Sequence, residues 1–373
     1  MVDTKIIAMY LPQFHCIPEN DRFWGKGFTD WLTVKKARPL FEGHNVPRVP
    51  LNHNYYDLSL KEHVVWQTKL AKQYGIYGFG TYHYWFNSET NLLTTPTEII
   101  RDNKEIDINY FFIWDNCHWK RSWSNVSGNA WSPLADEEQS LEQRKGPQIL
   151  IPYVLGDEKD WTIHYNYVKT HFTDDRYIKY NGKPVFCIIN YDETIQRMCD
   201  FWDALAQQDG YEGFHFIFKH SQFTNYPSNT FCYNYEPHFT AWGSPNYMQR
   251  CINYIKRKLG IKFEYLSYDY EDVWERMNAY YKDSCPPNVY PGAFVNYDDS
   301  PRRGNKGSRL FVNSDVSKFQ KYFKELYTTA KRTNKEFIFL TAWNEWGEGA
   351  YLEPDTDNGY KYLEAIKNIV GCH

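Results

Sequence analysis

Phe337-Ile338-Phe339-Leu340-Thr341-Ala342-Trp343-Asn344-Glu345-Trp346-Gly347-Glu348-Gly349 is the stretch on which the fold turns. Its first five residues form a nearly continuous apolar run, the pattern of a strand buried on both faces. Directly behind it stand two carboxylates three residues apart, among two tryptophans and two glycines. Upstream, Val316, Phe319, Tyr322, Phe323, Leu326, Tyr327 and Ala330 recur at helical spacing. A helix feeding a doubly buried strand is the unit of a parallel sheet covered on both sides.

The same alternation runs through the chain. Further strands are expected at Ile6–Tyr10, Ile76–Tyr82, Asn109–Trp114, Val185–Asn190, Phe214–Lys219, Phe231–Tyr235 and Tyr290–Asn296, and a second helical stripe at Leu60, Val64, Leu70, Ala71 and Tyr74. Eight such units predict an α/β fold, a (β/α)8 TIM barrel, which takes roughly 250 residues. In a chain of 373 residues the surplus falls into long insertions after strands. Residues 11–57 are rich in proline, aromatics and asparagine, with no helical period. Residues 115–148 hold three tryptophans and a charged piece, expected to be helical, around Asp136–Arg144. Residues 297–314 are polar around Arg302-Arg303-Gly304. A doubly wound open sheet is the rival, but no G-x-G-x-x-G follows any strand. With no linker or repeat, residues 1–373 are expected to form one domain.

Composition narrows the function. Lys plus Arg number 42 and Asp plus Glu 46, a net charge of −4, so the basic surplus used for nucleic acid is missing. No stretch approaches the roughly 20 apolar residues of a membrane span. The aromatic share is high: 14 Trp, 32 Tyr and 24 Phe make 19% of the chain, which suits stacking on sugar rings or a Tyr-rich core. The eight cysteines, at 16, 117, 187, 199, 232, 251, 285 and 372, form no CxxC pair and no Cys/His group with zinc spacing. They read as reduced thiols, and the short apolar run Ile6–Tyr10 is no signal core, so a cytoplasmic location is expected. The Asn125-Val126-Ser127 sequon reads as chance.

Chemistry is expected where polar residues follow strand ends, because in a barrel those ends converge on one mouth. Glu345 and Glu348 lead. Tryptophan rings that desolvate a carboxyl raise its pKa, and splitting two carboxyls into an acid and a base is what glycosidic cleavage requires. The competing account makes the two glutamates ornaments of a helix's first turn. Tyr82, His83 and Tyr84 form a second group, and Trp114-Asp115-Asn116, with Trp119 and Arg121 behind it, a third. Gln13 and His15 follow the first strand; Glu236 with His238, and Asp298 with Arg302, follow later ones.

Five segments together resemble the WbsX-like family, also called the family 99-like glycoside hydrolase or glycosyltransferase domain: Tyr10-Leu11-Pro12-Gln13-Phe14-His15; Phe23-Trp24-Gly25-Lys26-Gly27-Phe28-Thr29-Asp30-Trp31; Tyr82-His83-Tyr84-Trp85-Phe86; Asp298-Asp299-Ser300-Pro301-Arg302-Arg303; and Ala342 through Gly349 with Tyr351-Leu352-Glu353-Pro354-Asp355. The family looks like the endo-α-mannosidases of glycoside hydrolase family 99, which are (β/α)8 barrels without metal. The resemblance implies that Glu345 is a general base on the sugar's own 2-hydroxyl and Glu348 the general acid. The intermediate would be a 1,2-anhydro sugar, and configuration would be retained. It also implies a carbohydrate substrate held by Gln13, His15, Trp31, Tyr82, His83, Tyr84, Trp114, Asn116, Glu236, Asp298, Arg302, Trp343, Asn344 and Trp346, with no cofactor or metal. One departure bears on the sugar pocket. Where the family usually reads Trp-Ala-Asn-Glu, this chain has Trp114-Asp115-Asn116-Cys117. Two other functions stay open: a glycosyltransferase of surface-polysaccharide synthesis, whose Asp-x-Asp would be Asp355-Thr356-Asp357, and a non-catalytic glycan-binding barrel.

Overall fold

The apolar runs form a ring of parallel strands in the computed structural model, which describes residues 3–120, 149–243, 264–305 and 307–371. The strands are β1 (Lys5–Tyr10), β2 (Gly78–Asn87), β3 (Asn109–Trp114), β4 (Lys183–Ile188), β5 (His215–Lys219), β6 (Phe231–Tyr233), β7 (Val289–Tyr290 and Gly292–Phe294) and β8 (Phe337–Thr341). Pro291 has no N–H to donate and splits β7 in two. The first half pairs with β6 and the second with β8, which joins the ends of the ring. Among the described residues this makes nine parallel segments at eight positions, a near-closed α/β barrel.

Burial explains the near-continuous apolar strands. Ile6 through Tyr10 and Phe337 through Thr341 are buried throughout, because one face meets the barrel interior and the other a helix. The helix Val316–Arg332 supplies one such cover: Phe319, Tyr322, Phe323, Leu326, Tyr327 and Ala330 are buried, and Asp315 caps its start by accepting from the Lys318 N–H. Each large apolar side chain so buried stabilises the fold by about 1.5–3 kcal/mol.

Side chains alternate along each strand, and this parity sets the site. Tyr82, Ile113, Cys187, Ile217 and Phe231 stand in register on successive strands. Phe111, Tyr233 and Phe339 meet inside the barrel, with Phe339 4.5 Å from Tyr233 and 5.9 Å from Phe111 between ring centroids. Gly80 belongs to the inner set, and a Cβ there would lie 2.7 Å from Ile113 Cδ1. The alternate residues point out to the helices, as Tyr10 does in donating to Gln67 at 2.7 Å.

The insertions depart from expectation in two places. Residues 11–57 contain short helices at Pro18–Trp24 and Asp30–Lys36, each seven residues long, too brief for a sequence period to emerge. Residues 297–314 contain the helix Ser300–Arg303 and the strand Ser308–Val312, which pairs in parallel with Tyr265–Asp269 outside the barrel. The expected helix at Asp136–Arg144, the sequon at Asn125 and Arg121 lie outside the described residues. Among those residues no helix is long and apolar enough to cross a membrane, and Cys16, Cys117, Cys187, Cys199, Cys232 and Cys285 carry free thiols.

Candidate active site

Beyond β8 the chain turns back on itself and presents Glu345 and Glu348 to a cavity of about 700 Å³ at the C-terminal mouth of the barrel. Asn344-Glu345 pairs antiparallel with Ala350-Tyr351. Asn344 Nδ2 donates to the Leu11 carbonyl at 2.9 Å and its Oδ1 accepts from the Leu11 N–H at 2.8 Å, fastening the turn to the end of β1. Trp346 stacks on Tyr351 at 3.7 Å and donates Nε1–H to Glu353 at 2.6 Å. Gly347 is there for close approach: a Cβ would come within 2.6 Å of both Arg302 and Asp30.

One guanidinium gathers three carboxylates. Arg302 donates from Nη1 to Glu348 Oε1 at 2.6 Å, and from Nη2 to Glu345 Oε2 at 3.1 Å and Asp30 Oδ2 at 3.3 Å. Asp30 is fully buried and also accepts from the Gly347 N–H at 3.2 Å. Three negative charges, those of Asp30 and Glu345 buried, against one positive charge favour retaining a proton. Burial raises the Glu345 carboxyl well above the usual range, Arg302 opposes this, and the charges of Glu348 and Asp30 add to it.

Parity decides which of the expected residues reach the cavity. Leu11, Tyr82, Tyr84, Asp115, Ile189, Lys219 and Tyr235 belong to the inward-facing sets of β1 to β6 at or just past their C-terminal ends, and all seven line it. Gln13, Asn116, Arg302, Glu345 and Glu348 line it as well. Asn116 is anchored by exchanging hydrogen bonds with Asn190 at 2.8 and 2.9 Å.

Other expected residues stand one position out of phase with the inward-facing set. His83 points outward and meets His164 Nε2 at 2.9 Å; burial drives its pKa down to about 3, so it is neutral. Trp114 also points outward, donating to the Trp85 carbonyl at 2.9 Å. Glu236 is fully buried and satisfied by Thr240 and Tyr281, with burial raising its carboxyl to about 7. None of the three lines the cavity.

A further group supports the loops. His15 is buried outside the cavity lining. Trp31 packs on Phe14 and Trp346 and donates to the Tyr56 carbonyl. Trp343 lies against Phe79, and Asn344 and Trp346 make the anchoring contacts above. Asp298 lies behind the site: its N–H donates to the Glu348 carbonyl at 2.6 Å, while its carboxylate meets His44 at 2.9 Å and Arg48 at 3.1 Å beside a second cavity of about 470 Å³.

Sequence reasoning missed Asp30, Lys219 and Tyr235. Asp30 opens a helix, where an acid reads as a dipole partner and nothing marks it for a site. Lys219 and Tyr235 were legible by parity, two residues on from the inward-facing Ile217 and Tyr233.

Comparison with known proteins places the chain in a family and agrees with the barrel fold. The model of the family described as glycosyltransferase WbsX matches residues 6–366. Two proteins named WxcX, from Xanthomonas campestris pv. campestris strains B100 and ATCC 33913, are 27% and 28% identical over 377 residues, which cover 98% of this chain and 50% of each relative. The chain thus spans about half the length of the curated relatives it matches. Among solved structures, a glycoside hydrolase-like protein has a TM-score of 0.56 at 12% identity, covering 99% of this chain and 94% of its own. The GH99 endo-α-mannosidase from Bacteroides thetaiotaomicron has a TM-score of 0.55 at 14% identity, covering 100% and 98%. At such identities the likeness is one of fold.

Proposed function

We propose that this chain, which belongs to the WbsX family, breaks glycosidic bonds with Glu345 and Glu348 as its acid–base pair. The observation that carries this is their shared place on one cavity wall, under one guanidinium. Tyr82, Tyr84 and Tyr235 on the same walls offer ring faces and hydroxyls to a sugar. In the reaction, Glu345 takes the proton of the sugar's 2-hydroxyl as that oxygen attacks the anomeric carbon. Glu348 gives its proton to the departing oxygen. Water then opens the 1,2-anhydro ring with the proton transfers reversed, and configuration is retained. The step therefore requires Glu345 ionised and Glu348 protonated when the glycan is bound.

The test is kinetic, on a glycan panel with no nucleotide sugar present. Glu348→Gln should slow turnover of ordinary glycans by about 10²–10⁴-fold. It should spare an aryl glycoside whose leaving group needs no proton. Glu345→Gln should fail on both. Full turnover in both variants would overturn the proposal, and the opposite pattern would exchange the two roles.

The family's own description favours a second reading, glycosyl transfer. Asp355-Thr356-Asp357 contributes little to it. Asp355 is occupied in a tight turn, accepting from Tyr351 Oη and the N–H groups of Asp357 and Asn358, away from the main cavity. Product that forms only when a nucleotide sugar is supplied would establish the transferase.

A further inference from the structure

The cavity has two poles. Glu345 and Glu348 follow β8, whereas Asp115 follows β3 and Lys219 ends β5, each strand three positions round the ring from β8. Lys219 continues the inward set His215 and Ile217, so its stem runs up the barrel wall and its ammonium stands in the cavity. Its Nζ lies 5.9 Å from the Tyr235 ring centroid. Its charge is felt at Asp115, Cys117 and His238, which line the same space.

Among the described residues the Lys219 ammonium makes no ion pair and no hydrogen bond, although it has three protons to donate. Asp115 is near enough to be influenced but not in contact, and burial raises its carboxyl, which weakens it as a counter-charge. His238 is held well below its usual pKa by burial and by Lys219, Arg309 and Arg303, and adds no charge. Lys120 also lines the cavity, from an exposed position. The remaining charges, Arg302 with Glu345 and Glu348, satisfy one another at the opposite pole.

We infer that the glycan taken by this cavity carries an anionic substituent, a sugar carboxylate or a phosphate, seated against Lys219 while the scissile bond lies at Glu345 and Glu348. The inference rests on the proposed glycan-cleaving function and adds the substrate class. A half-buried ammonium with no hydrogen-bond partner among the described residues is matched by charge-assisted hydrogen bonds from such a group, and a neutral hydroxyl matches it less well.

Calorimetric binding to matched probes tests this. The probes are a hexuronic-acid oligosaccharide, its carboxyl-reduced neutral counterpart, and a phosphorylated oligosaccharide of the same length. The protein should bind at least one acidic probe roughly tenfold more tightly than the neutral one. The carboxylate and phosphate arms distinguish the two sources of charge. Lys219→Gln should erase that preference, bringing the acidic probes to the affinity of the neutral one, and Lys219→Arg should restore it. Equal affinity for acidic and neutral probes, no binding of either acidic probe, or a preference that survives Lys219→Gln would overturn the inference. A charge preference without any turnover would instead count against the hydrolase alone. Turnover of neutral glycans without a charge preference would count against the inference alone.

Discussion

Arg302 holds the two glutamates, and Asp298 holds the backbone that carries one of them. The Leu40 N–H donates to His44 Nδ1 at 3.1 Å, so His44 bears its proton on Nε2 and donates it to Asp298. Arg48 at 3.1 Å and the Ser300 N–H at 3.0 Å complete the set. Against the upward push of burial, these partners hold the Asp298 carboxyl down to about 2. Its folded pKa lies below the unfolded value of about 3.9, so its stabilisation is present above pH ~4 and is lost as pH falls through about 2. Asp298→Asn leaves Arg48 without its buried partner and should cost about 3 kcal/mol in denaturant unfolding. Because the variant also loosens the Glu348 carbonyl, turnover should fall while the Michaelis constant barely moves. A rise in that constant with unchanged turnover would return Asp298 to the sugar-binding role its sequence position suggested.

At the level of elements, the strands were legible because a doubly buried strand has little choice of residue. Asn109–Trp114 and Phe337–Thr341 coincide with the expected runs residue for residue. β2 continues to Asn87, past the expected Tyr82, because its end folds back into a hairpin with Thr90–Leu92. The site was legible to the nearest turn and not to the nearest residue. When both faces of a strand are apolar, composition does not reveal which set points inward. The expected His83, Trp114 and Glu236 thus stand one residue away from the cavity-lining Tyr82, Asp115 and Tyr235. Asp30 was hidden for another reason: it reaches Arg302 across 272 residues of chain, a contact that only the closed fold creates.

Across the whole molecule, buried titratable groups set opposing responses to pH. Burial holds His83 and His171 at about 3 and His215 at about 4, against roughly 6.5 unfolded. Folded pKa values below unfolded ones mean that stability is lost as pH falls from about 6.5 towards those values. Glu236 and Glu353, raised by burial to about 7, and Asp299, raised to about 6, act the other way. Their contribution is whole below roughly pH 4 and is lost as pH rises through 6 to 7. The two sets oppose each other between about pH 4.5 and 6.5, so the unfolding free energy should peak there and decline on both sides; a steady rise from pH 5 to 8 would contradict this. The central claim concerns the mouth of the barrel, and a crystal structure of the Glu348→Gln protein with an uncleaved glycan tests it most directly. The scissile oxygen should lie within about 2.6–3.2 Å of residue 348 and the sugar's O2 within the same reach of Glu345. A glycan seated instead in the cavity beside His44 and Asp298, with both positions untouched, would contradict it.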